Sequence, residues 1–135
     1  MLRAALPDGW PDAELAELLP IYAKRLREDP GGLGYGTWVL VERESRTVVG
    51  SAGFLGSPTS EATVELGYGI HPDHRNRGYA TEAAHALVAW ALGQEGVLRV
   101  TARCRPANAA SLRVLAKAGL EQTGERDGLT RWVTA

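Results

Sequence analysis

Hydrophobic positions recur at two spacings along this chain, and the change from one to the other marks its elements. Ala80, Ala83, Ala84, Leu87, Val88, Ala91 and Leu92 repeat at intervals of three and four, which gives a helix one apolar face. Gly93 and Gly96 end that helix. Leu15, Leu18, Leu19, Tyr22 and Leu26 mark an earlier helix that Asp12 is suited to cap. Pro20 interrupts its pattern, so a kink or two short helices are expected before Asp29. A third, shorter helix over residues 106–118 turns Leu112, Leu115 and Ala118 inward and is closed by Gly119.

Between these helices lie β-rich runs. Residues 37–41 and 47–55, separated by the polar Glu42-Arg43-Glu44-Ser45-Arg46, predict a hairpin. Gly50 and Gly53 in the second run predict a bulge or a close packing partner. Residues 62–70 and 98–104 read as two further strands. The long helix between them makes that pair parallel, a βαβ unit. Asp127-Gly128 between two short runs predicts a closing hairpin. Residues 1–11, with Pro7, Gly9 and Pro11, read as irregular, and residues 30–36 as a glycine-rich loop.

Composition narrows the class. At 135 residues the chain is expected to form one domain over residues 1–135, and 44% hydrophobic with 23% charged residues is ordinary for a globular protein. A net charge of −1 supplies no global basic field, which argues against nucleic acid and anionic membrane as partners. No apolar run approaches the roughly 20 residues that cross a bilayer. Cys104 is the sole cysteine, so an internal disulfide is excluded and a reducing, cytoplasmic compartment is expected.

Any anion site must therefore be local, and the loop before the long helix has the parts of one. Arg75-Asn76-Arg77-Gly78-Tyr79-Ala80 joins a strand ending at Ile70 to the helix start. A glycine there lets backbone approach a ligand closely. The first-turn N–H groups of a helix lack intrahelical partners and sit at the positive end of its dipole. With two arginines alongside, the arrangement suits a phosphate or pyrophosphate.

That loop in its context, Ile70-His71-Pro72-Asp73-His74-Arg75-Asn76-Arg77-Gly78-Tyr79-Ala80, resembles the acyl-CoA-binding motif of the GCN5-related N-acetyltransferases, [Q/R]-x-x-G-x-[G/A] after an apolar-x-Pro strand end. Residues 108–120, from Asn108 through Ser111, Val114, Leu115, Lys117 and Gly119 to Leu120, resemble the family's N-x-x-S-x-x-V-L-x-K-x-G-F segment, with Leu120 in place of the aromatic. Val49-Gly50 and Val64-Glu65-Leu66-Gly67-Tyr68 are similar too. The resemblance covers residue 36 to the end, and the similarity is to the branch holding ribosomal-protein N-terminal acetyltransferases.

The resemblance implies an α+β or α/β fold: a twisted, mixed, mostly antiparallel sheet with helices on both faces and one parallel pair splayed at a cofactor slot. Relative to the family, the first strand is expected to be missing. Residues 37–41 then become the sheet edge, through which a homodimer would form. The resemblance also implies acetyl-CoA as co-substrate, with no metal. Its pyrophosphate would lie on Arg75, Asn76, Arg77, Gly78, Tyr79, Ala80 and Thr81. Its pantetheine arm would run along Gly69, Ile70 and His71 in the manner of an added strand, with Asn108 hydrogen-bonding the arm. A slot at the C-terminal ends of parallel strands is also where open α/β sheets bind ligands.

The acceptor would be a primary amine, on a small molecule or a peptide N-terminus, attacking the thioester directly. Glu65, beside the slot, is the candidate general base acting through water; its alternative is to pair an arginine or bind the acceptor's ammonium. The family's tyrosine acid falls seven residues after the asparagine, where this chain has Leu115. Ser111 is the remaining candidate acid, or else a first-turn hydrogen-bonding residue. Tyr35, Trp38 and Tyr68 are candidates to line the acceptor pocket, and Arg113 either reaches a cofactor phosphate or, the favoured reading, is a solvated helix residue. The three histidines lack zinc-site spacing, and Cys104 reads as a packed thiol. A catalytically inactive acyl-CoA-binding module is the alternative function. Nucleotide binding is disfavoured because Gly78 is the loop's one glycine, whereas phosphate-binding nucleotide motifs use several.

Overall fold

The structure is a computed structural model that describes residues 4–134. Met1, Leu2 and Arg3, part of the irregular opening expected from the sequence, lie outside the described residues. The first helix, α1 (Ala13–Glu28), begins where Asp12 accepts the Leu15 N–H at 2.8 Å. It runs on as one helix through Pro20, so the alternative of two short helices is set aside. Proline there removes the N–H that would bond the Ala16 carbonyl. Both residues are exposed, which leaves that carbonyl open to solvent.

The strands β1 (Thr37–Glu42), β2 (Thr47–Phe54), β3 (Thr63–Ile70), β4 (Arg99–Cys104), β5 (Leu120–Arg126) and β6 (Leu129–Thr134) form one sheet in the order β1-β2-β3-β4-β6-β5. Among these six strands β3 and β4 form the one parallel pair, across the helix α2 (Tyr79–Leu92) that joins them. The mixed, mostly antiparallel sheet expected from the sequence is thus present, and β1 is one of its two edge strands among the described residues, with β5 the other. The β1–β2 register passes from Gly50 to Val48, leaving Val49 as a bulge beside the glycine that signalled it. Gly50 and Gly53 are also both pressed against backbone: a methyl at Gly50 would overlap the Gly69 carbonyl, and one at Gly53 the Gly36 carbonyl. The β5–β6 turn has positive φ at both Asp127 and Gly128, 55° and 76°, which is the type I′ geometry.

α2 rests on β2, β3 and β4, and the last helix, α3 (Ala109–Lys117), packs beside it. α3 starts later than the expected residue 106, because Asn108 is its cap. Phe54, Leu66, Leu87, Val88, Val100, Leu115 and Trp132 fill the layer between sheet and helices. Alternation along β3 sends Val64, Leu66 and Tyr68 into that layer and Glu65, Gly67 and Gly69 to the opposite face. One feature of the sheet shapes the site. β3 pairs with β4 only as far as Leu66 and Ala102, then runs on to Ile70 beside β2, while β4 runs on to Cys104 beside β6. The two strands part, and a cleft opens between them.

Candidate functional site: an uncapped helix start above parted strands

α2 begins at Gly78, whose φ of 81° is left-handed and whose missing side chain leaves the helix with no side-chain cap. Asn76 is left-handed as well, at φ 63°. The loop and the helix start line a cleft of about 530 Å³. Its walls are Gly69 and Ile70 from β3, Arg75, Asn76 and Gly78 from the loop, Tyr79, Ala80 and Thr81 from α2, and Asn108 and Ser111 from the start of α3.

Most of the residues expected at a cofactor slot therefore come together, with two exceptions. His71 turns away: its Nε2 bonds the Asp8 carbonyl at 2.9 Å, and its backbone N–H is taken by Val49 at 2.7 Å. Arg77 lies 3.9 Å from Glu42 at the far side of the loop and does not line the cleft. Tyr79 also donates its hydroxyl to Glu42. That hydrogen bond holds the Glu42 carboxyl below its ordinary pKa and raises the Tyr79 phenol. Glu42 thereby ties the loop to the β1–β2 hairpin. Arg75 donates from Nε to the Ile70 carbonyl at 3.0 Å, which fixes the loop against the end of β3.

Three cleft residues were not singled out as ligands in the sequence. Arg113, expected to be solvated, lines the cleft together with Lys117. Their spacing of four on α3 puts both on one face, which is the signal that would have found them. His74 lines it too, and its Nδ1 is buried without a hydrogen-bond partner. A buried polar atom of that kind is the exception in folded proteins. The cleft thus offers uncapped amides, Arg75, Arg113, Lys117 and an unpaired imidazole nitrogen, a donor set that fits a diphosphate.

The expected acceptor residues separate. Trp38, Ala52 and Tyr68 are successive cross-strand neighbours on one face of the sheet. α2 crosses that face over β2, and the row is split. Trp38 turns to Trp90, ring centroids 6.1 Å apart, and bonds the Gly34 carbonyl at 2.9 Å. Tyr35 joins Trp90 at 5.3 Å. These rings line a second cavity, about 850 Å³, between α1, β1 and Trp90. Tyr35 and Trp38 thus line a different cavity from Tyr68, with the helix packed between them. Tyr68 alone stays in the cleft, its hydroxyl 2.5 Å from Ser111 Oγ. Burial pushes its phenol above the ordinary pKa, and the Ser111 hydrogen bond opposes that.

Glu65 faces the other side of the sheet. Arg103 grips it as a fork, Nε to Oε1 at 2.7 Å and a terminal nitrogen to Oε2 at 2.8 Å. Asn108 accepts the Ser111 N–H at 3.1 Å, so its side-chain oxygen serves α3 itself. Cys104 is buried with Sγ 3.1 Å from Thr130 Oγ1, as a packed thiol. Among the described residues no cluster of histidine, cysteine and carboxylates suits a metal ion.

A cleft between parted parallel strands, headed by an uncapped helix start, agrees with comparison to known proteins. Residues 3–121 match the acetyltransferase (GNAT) domain family. The chain belongs to the GNAT acetyltransferase family. N-acetyltransferase YjdG of Bacillus subtilis (strain 168) is 34% identical over 124 residues, 92% of this chain and 74% of that relative. The mycothiol acetyltransferase of Parafrankia sp. (strain EAN1pec) is 46% identical over 65 residues, 48% of this chain and 19% of its own length. Among solved structures, a GNAT-family acetyltransferase from Bordetella pertussis superposes with a TM-score of 0.70 at 24% identity, covering 90% of this chain and 77% of that one. The ribosomal-protein-S5-alanine acetyltransferase of Vibrio fischeri does so at 0.70 and 17%, covering 84% and 67%. At those identities the likeness establishes the fold. Family membership and the N-acetyltransferase relatives make this chain an acetyltransferase.

Proposed function

We propose that this GNAT enzyme moves the acetyl group of acetyl-CoA to a primary amine, on a small molecule or a protein N-terminus, by direct attack on the thioester. The observation that carries the reading is the start of α2: its first-turn amides have no side-chain cap and open on the cleft. A diphosphate there would take N–H bonds from the helix and charge from Arg75, with Arg113 and Lys117 opposite. The pantetheine arm would follow Gly69 and Ile70, where β3 has lost its parallel partner. The Asn108 amide nitrogen stays available to the arm while the oxygen caps α3.

The amine would approach from the opposite face. There Gly67 and Gly69 leave open space beside the β3 backbone, and Glu65 is the nearest carboxylate in sequence. With both its oxygens in the Arg103 fork, Glu65 serves as a fixed negative charge that draws the ammonium, and as a base through water once the amine is seated. Attack by an oriented amine takes much of its rate from proximity.

The test is release of thiol from acetyl-CoA in the presence of alkylamines, amino acids and short peptides, alongside the heat shift produced by CoA. Turnover with one amine class supports the reading, and its loss in Glu65→Gln supports the acceptor side. A heat shift by CoA without thiol release from any amine would make the chain a binding module. No shift at all would end the reading.

A further inference from the structure

We propose that Tyr68 is the acid of the transfer step, giving its hydroxyl proton to the departing thiolate, and that Ser111 is the residue that positions that hydroxyl. The inference rests on the reading of the cleft given above. A donor whose diphosphate is fixed at the start of α2 is a linear molecule held at one end. Its thioester therefore falls at the inner end of the cleft, where β3 and β4 part after Leu66 and Ala102. Tyr68 is the first residue of β3 beyond that point to send a side chain to the cleft side, since Gly67 has none and Glu65 faces away. Its hydroxyl meets Ser111 Oγ at 2.5 Å, and both residues line the cleft.

Among the described residues no other nearby group is placed to protonate the departing sulfur. Glu65 is in the Arg103 fork on the opposite face. Cys104 is buried against Thr130. Leu115, one turn beyond Ser111, has no proton to give and is 1% exposed. Between the two hydroxyls in contact, a phenol, with an ordinary pKa of about 10, is a far stronger acid than an aliphatic alcohol. Burial keeps that phenol protonated across neutral pH.

The step balances as follows. The amine nitrogen bonds the acetyl carbonyl carbon and loses its own proton to water or Glu65. The tetrahedral adduct collapses with cleavage of the carbon–sulfur bond. The sulfur keeps the bonding pair and takes the Tyr68 proton. The phenolate regains a proton from solvent through the Ser111 hydroxyl.

Tyr68→Phe keeps the ring and removes the proton, so it separates chemistry from packing. With acetyl-CoA and the best amine of the panel, kcat is expected to fall about 100-fold. The KM for acetyl-CoA and the calorimetric affinity for CoA stay within about 3-fold. Ser111→Ala is expected to lower kcat about 10-fold, because the phenol survives it. A Tyr68→Phe enzyme with near-normal kcat overturns the inference. So does a larger loss in Ser111→Ala than in Tyr68→Phe, which would make the serine the acid. A loss confined to KM and CoA affinity also overturns it, and makes the pair a strut between β3 and α3. Failure of the wild-type enzyme to release thiol sinks the proposed function, and this inference with it. Failure of the variants alone sinks only this inference.

Discussion

At the start of α3, Asn108 turns its side-chain oxygen back onto the Ser111 N–H at 3.1 Å; at the start of α2, which lines the same cleft, Gly78 has no side chain to turn. α1 follows α3, with Asp12 on the Leu15 N–H at 2.8 Å. Among the described residues, two of the three α-helices thus have a first-turn N–H bonded by a side chain, and the third has no such cap. Unsatisfied donors at a helix start are normally met by a cap, by water or by a ligand. A chain that caps its other helices and uses glycine here has kept this one start open. The glycine is left-handed, with a φ of 81° that ordinary residues rarely adopt.

The comparison is most directly broken by making α2 like its neighbours. Gly78→Asp would put a carboxylate over the free amides and strain the left-handed backbone. CoA affinity by calorimetry should then fall about 100-fold or more, roughly 2.7 kcal/mol. The reverse change, Asn108→Ala, strips the cap from α3. It should cost about 1 kcal/mol of stability in denaturant unfolding and weaken CoA only about 3-fold, through the lost amide contact to the arm. Asp12→Ala is the control: a similar loss of about 1 kcal/mol, with CoA affinity unchanged, since α1 does not reach the cleft.

The smallest effect concerns the tie that holds the loop in place. Tyr79 lowers the folded-state pKa of Glu42, so the contribution of that pair to stability is present above the ordinary glutamate value and lost as pH falls through the depressed one. Melting temperatures of wild type and Glu42→Gln should differ slightly near pH 7. They should converge as the pH drops below the depressed value. The Arg77 guanidinium, 3.9 Å from Glu42 and half exposed, adds little to that tie.

How much of this was legible before the structure differs by kind of residue. The loop before α2 and its uncapped helix start were readable because glycine, arginine and helix periodicity lie within a few residues of one another. The same holds for the Asp127-Gly128 turn, the bulge beside Gly50 and the cap at Asp12. Arg113 and Lys117 were within reach of the same local reasoning, through their spacing of four. Tyr35 and Trp38 were not. Their separation from Tyr68 depends on α2 lying across β2, a packing event between residues some fifty positions apart. The Arg103 fork on Glu65 likewise depends on the parallel register that sets Glu65 opposite Thr101.

What the sequence determined by itself, then, was the succession of elements, their stops and the open helix start. Those follow from backbone preferences and side-chain periods that act over one turn or one pair of strands. Which side of the sheet each polar side chain meets, and which neighbour it meets there, was left to the tertiary structure. Strand register and helix placement bring distant residues together, and no short-range preference encodes them. The contact of Tyr68 with Ser111, forty-three residues apart, exists only because β3 parts from β4 beneath the first turn of α3.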